Sequence, residues 1–158
     1  PTAKPVSPVA ALVDGVGIVP GVPPPPPAGT GPLRVAEATA GQTLVHTDAR
    51  DDNFLIADGR ALLCDWNWPV VGAAWVDTVL LLISAHGDGL DADAILASRP
   101  LTRDVDPDSI NTLLALIAGF FLERRDQPVP NSSPYLRAHQ SWYAEATWSW
   151  LTARRGWT

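Results

Sequence analysis

The sequence predicts a mainly helical α+β domain. An Asp-Gly pair between two short apolar runs indicates a β-hairpin near the middle of the chain, and apolar residues recur at helical spacing through most of the second half. With 158 residues the chain has room for one domain of ordinary size, or for one lobe of a larger protein.

The first 31 residues differ in composition from the rest. Ten of the 16 prolines fall within the first 32 residues, including an unbroken run at positions 23–27. Consecutive prolines favour an extended conformation and supply no backbone donors to a helix or a sheet. We therefore interpret 1–31 as a Pro/Gly-rich linker or irregular arm and 32–158 as the folded domain.

The β-strands come first in that domain. A short helix is predicted over 33–40, ended by Gly41, and a strand over 43–45. Asp58-Gly59 tolerates the positive φ angles of a type I′ turn, so 54–57 should pair with the following apolar run. This register pairs 57 with 60 and 53 with 64, which brings Asn53 and Asp65 together at the open end of the hairpin.

Four further helices follow. Apolar residues at spacings of three and four predict helices over 73–85, 91–98, 106–125 and 133–155. Asp106-Pro107 supplies an N-cap and a first-turn proline for the third of these. Gly156 ends the last one.

Charge and composition exclude several classes of protein. The net charge is −6, which argues against a phosphate-backbone binder, and no nucleic acid partner is expected. The single cysteine, Cys64, forms no internal disulfide, and no apolar run approaches the roughly 20 residues of a membrane span. We expect a cytoplasmic protein without a membrane partner. The chain also lacks methionine, which predicts a processed product or a piece of a longer one.

One group of residues has a pattern typical of a functional site. Residues 46–53 have the form H-x-D-x-x-x-x-N, with His46, Asp48 and Asn53 at the fixed positions, and Asp65 follows beyond the predicted hairpin. Asp65 interrupts an apolar run and precedes Trp66, which favours a paired or metal-bound carboxylate over a solvated one.

This pattern resembles the catalytic core of the protein-kinase-like superfamily. The stretch 44–82 is most similar to the aminoglycoside phosphotransferase and choline kinase-like branch. The matching features are a small residue between His46 and Asp48, Asn53 leading a β run, Cys64-Asp65-Trp66, and Gly72 with Asp77 heading the next helix.

The resemblance implies a role for each residue. Asp48 would be the catalytic base, and Arg50 would face the transferred phosphoryl group. Asn53 and Asp65 would bind Mg²⁺ and, through it, ATP or GTP. His46 and Asp77 would brace the loop. The implied activity is ATP-dependent transfer of a phosphoryl group to a hydroxyl of a small molecule, and an amine-bearing, cationic acceptor is compatible with the acidic charge.

The chain departs from that family at its N-terminal end. A complete member has a smaller lobe with a phosphate-gripping Lys and a partner Glu, whereas Lys4 is the only lysine here and Pro5 follows it. The prediction is therefore a C-terminal lobe without its N-lobe, weakly active or inactive alone.

Two alternatives stay open. The domain could be a non-catalytic binding or scaffold remnant of the same fold, or an unrelated helical protein with a fortuitous motif. Individual residues also have structural interpretations, which we expect to hold for several of them. Asp51 and Asp52 are predicted to be solvated loop acids and Cys64 a small core residue. The tryptophans of the last helix are predicted to pack against other helices, with an aromatic wall beside a cationic substrate as the alternative.

Overall fold

The structure is a computed structural model that describes residues 32–157. The predicted arm over 1–31 lies outside the described residues. Five α-helices, four short strands and one 3₁₀ turn make up the described chain. In order they are α1 (Pro32–Ala38), β1 (Thr43–Val45), the 3₁₀ turn (Asp51–Asn53), β2 (Phe54–Ala57), β3 (Arg60–Leu63), β4 (Val70–Gly72), α2 (Val76–Gly87), α3 (Ala92–Ser98), α4 (Pro107–Arg125) and α5 (Leu136–Arg155). The α+β, mainly helical class predicted from the sequence is confirmed.

The predicted hairpin is present with the predicted register. Strands β2 and β3 are antiparallel, with Phe54 opposite Leu63 and Ala57 opposite Arg60. Asp58 and Gly59 both have positive φ, 50° and 71°, as the turn requires. The local turn chemistry therefore determines how these strands pair.

The second sheet was not predicted as a pair. Strand β1 pairs antiparallel with β4, which places Leu44 opposite Val71. Strand β4 has only three residues and its partner is distant in sequence, so it carries no local signal of its own. This pairing places the end of β1, where the loop 46–53 begins, next to the segment that leads into α2.

The helices pack into one core. Helix α5 packs along α4 and against α2, α1 packs on α4, and α3 packs on α2. The most buried apolar residues are shared among α2 (Val79, Ile83), α4 (Leu113, Leu114, Ala118) and α5 (Tyr143, Ala144, Trp150). The loop 46–53 lies against helices α2 and α5.

The helix ends follow their predicted chemistry with small shifts. The Asp106 carboxylate accepts from the Asp108 amide at the start of α4, and Gly156 ends α5 with φ 62°. Helix α2 begins at Val76 rather than at Ala73, because the Ala73 amide donates to Thr39 at the end of α1 and holds 73–75 in a turn.

The tryptophans of α5 confirm the packing interpretation in part. Trp150 is 1 % exposed and lies in the core. Trp142 packs on Gly87, where an added Cβ would lie 2.5 Å from the indole ring. Trp148 and Trp157 contact each other with ring centroids 6.1 Å apart. Cys64, by contrast, is half-buried at the end of the hairpin and not part of the core.

None of the helices between residues 32 and 157 combines the length and the apolar character that crossing a bilayer demands.

Candidate active-site loop

The loop starts at His46, directly after β1. The His46 side chain is fully buried, and its Nε2 lies 2.7 Å from the Cys64 carbonyl oxygen. Its Nδ1 accepts from the Asp48 amide at 3.2 Å. These two contacts assign a neutral ring with the proton on Nε2, and the Trp66 ring packs edge-on at 4.7 Å. His46 is thus a hydrogen-bonded core histidine that ties the loop to the hairpin.

Asp77 holds the backbone of the loop from the first turn of α2. Its carboxylate accepts from the His46 amide at 2.8 Å and from the Thr47 amide at 3.0 Å. Both oxygens of one half-buried side chain are therefore used on consecutive amides. Hydrogen bonds to a charged acceptor are stronger than neutral ones, so Asp77 fixes the direction in which the loop leaves β1.

Thr47 is strained. Its φ of 67° lies in the left-handed region, which a β-branched residue rarely adopts and which costs about 1–2 kcal/mol. Two contacts offset the cost, the amide on Asp77 and the hydroxyl, which donates to the Trp68 carbonyl at 2.7 Å. The turn at Thr47 places His46 inside the core and Asp48 at the surface.

Asp48 is held from within the loop. The side-chain amide of Asn53 donates to the Asp48 carbonyl at 2.8 Å and to its carboxylate at 3.2 Å. Burial raises the pKa of the Asp48 carboxyl above its ordinary value, and the Arg50 charge and the Asn53 hydrogen bond oppose that rise. The side chain is still 34 % exposed. A reachable carboxylate with a raised pKa accepts a proton more readily than an ordinary surface aspartate.

Arg50 lies between two carboxylates. Its Nε is 3.3 Å from Asp48 Oδ1 and 3.1 Å from Asp52 Oδ1, while the Nε–H points at neither oxygen. The guanidinium also lies over the Tyr143 ring, 5.5 Å from its centroid. Arg50 therefore brings a fixed positive charge beside Asp48.

Asn53 and Asp65 were predicted to face a shared cation. The Cys64 amide donates to the Asn53 carbonyl at 2.8 Å, so residues 53 and 64 are neighbours as the register predicted. Asn53 is buried. Asp65 is exposed, has φ 62°, and accepts from the side-chain amide of Asn67. Within the described chain, no hydrogen bond or ion pair links Asp65 to Asn53 or Asp48.

That Asp65 binds a metal ion stays a prediction, whereas the expectation that it is not a solvated acid was wrong, because the residue is exposed. That expectation rested on the apolar run around the residue and on Trp66 after it. Those neighbours are themselves exposed, with Trp66 45 % and Trp68 73 % accessible. An apolar sequence predicts burial only where another element covers it, and none of the described residues covers this side of the hairpin.

The donor chemistry at the loop fits Mg²⁺. The carboxylates of Asp48 and Asp65 and the amide oxygen of Asn53 are hard oxygen donors, and Mg²⁺ commonly uses one or two carboxylates together with substrate phosphates. Since the Asn53 amide nitrogen is engaged by Asp48, its oxygen is left as an acceptor. Between residues 32 and 157 no group of three or more His, Cys, Asp or Glu side chains could hold a metal by itself.

Two cavities lie away from Asp48. One, of about 240 Å³, is lined by Thr39, Val45, Thr47 and Val76 among others, between α1 and the β1–β4 pair. The other, of about 430 Å³, is apolar and lies between α2 and α3, with Leu82 and Ile95 in its lining. Neither Asn53 nor Asp65 lines either cavity.

The structure adds residues to the loop that the motif did not indicate. Tyr143 donates to the Asp51 carboxylate at 3.2 Å and is hydrogen-bonded to Ser84, and His139 Nε2 lies 3.9 Å from Asp52 Oδ2. Asp51 and Asp52 were predicted to be solvated. Both are exposed, yet each has a partner. Ser84 and Tyr143 are distant in sequence and read as ordinary helix residues, so no sequence signal marks them.

Comparison with known proteins gives no relative for this chain. No family model, no curated protein and no solved structure matches it.

Proposed function

We propose that the domain is the catalytic-loop and acceptor lobe of a phosphotransferase of the aminoglycoside phosphotransferase and choline kinase-like kind, which its sequence resembles. It would transfer the γ-phosphoryl group of ATP or GTP to a hydroxyl of a small molecule. The observation that supports this best is the placement of Asp48. Asn53 and Arg50 hold it, while Asp77 fixes the two preceding amides.

Asp48 acts on the acceptor hydroxyl. Its carboxylate orients the hydroxyl and takes its proton as the hydroxyl oxygen bonds to the γ-phosphorus. The bond from that phosphorus to the β–γ bridging oxygen breaks, and the nucleoside diphosphate leaves with the electron pair. The raised pKa of Asp48, caused by burial, suits it to accept that proton.

Arg50 supplies positive charge next to Asp48. A guanidinium stays protonated at any working pH and can pair with a phosphoryl oxygen. Its Nε is buried, so a bound anion would pair with the terminal nitrogens of the guanidinium, whose side chain is 19 % exposed. The charge would stabilise the transferring group as negative charge spreads over its oxygens.

Asn53 and Asp65 would hold Mg²⁺. When bound, the ion neutralises phosphate charge and orients the phosphates for in-line transfer. Asn53 would contribute its amide oxygen and Asp65 its carboxylate, while His46 and Asp77 keep the loop in place. The nucleotide also requires a phosphate-gripping group, and residues 32–157 contain no lysine. We therefore propose that a nucleotide-binding lobe supplies it in a cytoplasmic, two-lobed parent.

A second candidate function is a binding domain without phosphotransfer chemistry. The exposure of Asp65 and its hydrogen bond to Asn67, rather than to Asn53 or Asp48, favour this alternative. An acceptor that carries amines suits either candidate, because Asp51 and Asp52 place negative charge beside Asp48.

Titration with Mg²⁺ and a non-hydrolysable ATP analogue separates the two candidates. The phosphotransferase proposal expects backbone signals of Asn53 and Asp65 to shift in NMR spectra, with saturable binding. Asp65→Asn should weaken that binding. Asp58→Asn is the matched control, since it makes the same change at the hairpin turn, where Asn also tolerates positive φ.

Two results would contradict the proposal. One is the absence of any Mg²⁺-dependent shift at Asn53 and Asp65, which would favour the binding domain. The other is equal weakening by Asp65→Asn and Asp58→Asn. The chain alone should show little turnover, because nothing in the described residues positions the phosphates as a lysine and a covering loop would.

A further inference from the structure

A buried tyrosine of α5 lies beneath the loop. Tyr143 is 1 % exposed and packs between Phe121, at 5.2 Å, and Trp142, at 5.1 Å. Its hydroxyl is hydrogen-bonded to Ser84 of α2 and donates to the Asp51 carboxylate at 3.2 Å. A buried tyrosine hydroxyl needs partners, and here one of the two belongs to the loop.

The ring of Tyr143 meets the loop as well. The Arg50 guanidinium lies 5.5 Å from its centroid. The Arg50 Nε–H is directed at neither Asp48 nor Asp52, and the guanidinium makes one long hydrogen bond to these carboxylates, from Nη2 to Asp52 Oδ2 at 3.4 Å. The aromatic face supplies the surface against which the guanidinium rests.

We infer that Tyr143 is a positioning residue of the loop: its ring sets Arg50 beside Asp48, and its hydroxyl fixes Asp51. The inference rests on the proposed function for the roles of Asp48 and Arg50, but the contacts themselves do not depend on it. Helix α5 adds one more contact, since His139 packs edge-on against Tyr143 at 5.0 Å and reaches Asp52.

The chain of contacts joins three elements. The Asp51 amide donates to Ser84 Oγ at 3.4 Å, so the Ser84 hydroxyl contacts both the loop backbone and the Tyr143 hydroxyl. Burial raises the pKa of Tyr143 well above its ordinary value, and the hydroxyl therefore stays protonated as a donor to Asp51. A phenylalanine at 143 would fill the same space in the core and lose both hydrogen bonds.

Variants at position 143 separate positioning from simple packing. Tyr143→Phe keeps the ring and removes the hydroxyl, and Tyr143→Leu removes both. Trp150→Phe is the matched control. It changes a second buried aromatic on the same helix face seven residues later, keeps an aromatic ring, and breaks one hydrogen bond, from Trp150 Nε1 to Asp93.

Two NMR measurements on the full chain without nucleotide provide the readout. Amide hydrogen exchange at Asp51 and Asn53 reports the order of the loop, and the amides of α4 report global stability. The chemical shift of the Arg50 Nε–H reports whether the guanidinium lies on an aromatic face, since a ring shields protons above it.

The inference predicts a different result for each variant. Tyr143→Phe should speed exchange at Asp51 and Asn53 about fivefold relative to α4, the effect of losing the one hydrogen bond that Tyr143 makes to the loop, and leave the Arg50 shift in place. Tyr143→Leu should abolish that shift. Trp150→Phe should change the exchange rates of the loop amides and of the α4 amides by the same factor.

If Tyr143→Phe raised the exchange rates of the loop amides and the α4 amides by the same factor, the inference would be overturned, because Tyr143 would then act only as a core residue. An unchanged Arg50 shift in Tyr143→Leu would overturn it too, and if that variant does not fold, the Tyr143→Phe comparison still decides. Failure of the proposed function gives a different result, which is the absence of Mg²⁺-dependent shifts at Asn53 and Asp65 in the wild-type chain.

Discussion

The loop 46–53 and the hairpin 54–63 are consecutive in sequence and are held by different forces. Contacts from distant elements hold the loop, with Asp77 and Ser84 on α2 and Tyr143 on α5. The hairpin is defined by its own turn, and its apolar residues Leu55 and Ile56 are 60 % and 74 % exposed. The same stretch of chain therefore passes from a region fixed by tertiary structure to one fixed by local geometry. Asp48 and Asn53 lie in the first region, and Asp65 lies beyond the second.

The largest expected effect is on catalysis, and it tests whether the two regions have separate roles. In a two-lobed protein that joins residues 32–158 to a nucleotide-binding lobe, Asp48→Asn should lower turnover by roughly 10²- to 10⁴-fold, because it would remove the proton acceptor of the proposed reaction. Nucleotide affinity should stay near the wild-type value. Steady-state rates and calorimetric titration on the same preparation measure both quantities.

Under the proposed function, Asp65→Asn in that protein should lower nucleotide affinity itself, since it would replace a charged metal ligand with a neutral one. Excess Mg²⁺ should recover part of the loss. Separate roles for Asp48 and Asp65 would be contradicted if the two variants lost affinity and turnover in the same proportion, or if Asp48→Asn kept full turnover.

The next effect is on stability and concerns the contact that fixes the loop. Asp77→Ala should lower the free energy of unfolding by about 3 kcal/mol, because two amides lose a charged acceptor and one belongs to the fully buried His46. Asp77→Asn keeps one acceptor oxygen and should lose roughly half as much. Urea denaturation measures the difference.

Asp88→Ala is the control for Asp77, because Asp88 is exposed at the far end of α2. Its effect should stay within about 0.5 kcal/mol. If Asp77→Ala cost no more than this control, tertiary contacts would not be what holds the loop.

Local chemistry was enough to predict the hairpin and several helix ends. Asp58-Gly59 specifies a turn whose geometry fixes the register, and Asp106 and Gly156 cap helices through groups adjacent in sequence. The brace at Asp77 came from the resemblance of the motif, since no local pattern links positions 46 and 77.

Features that depend on tertiary contacts could not be predicted from local sequence patterns. Strand β4 exists because β1 lies beside it, and Tyr143 contacts the loop because α5 crosses beneath it. The exposure of Asp65 has the same origin. Burial depends on which element covers an apolar run, and that information lies elsewhere in the chain.

A smaller effect tests the independence of the hairpin. Gly59→Ala should cost about 1 kcal/mol through its positive φ alone, since an added Cβ there meets nothing within 4 Å. Amide exchange should rise in β2 and β3 and stay unchanged at residues 46–53. Gly89→Ala is the matched control, because Gly89 has φ 83° and an added Cβ there also meets nothing within 4 Å. It should leave exchange of the hairpin amides unchanged. Faster exchange in the loop upon Gly59→Ala would show that the two regions are coupled.

The smallest effect is a pH dependence of stability that arises from Asp48. Burial raises the pKa of Asp48 in the folded chain, so ionised Asp48 opposes folding at neutral pH, and stability should increase as pH falls through the folded pKa toward the unfolded value of 3.8. Asp48→Asn carries no such charge. In metal-free buffer it should therefore unfold at a higher urea concentration than the wild type at pH 7, and this difference should shrink as the pH approaches 4. Asp65→Asn, which alters an exposed carboxylate, is the control and should change the free energy of unfolding at pH 7 by no more than about 0.5 kcal/mol. A destabilised Asp48→Asn at pH 7 would mean that the Arg50 ion pair outweighs burial, and the loop would then gain stability from the residue that it presents for chemistry.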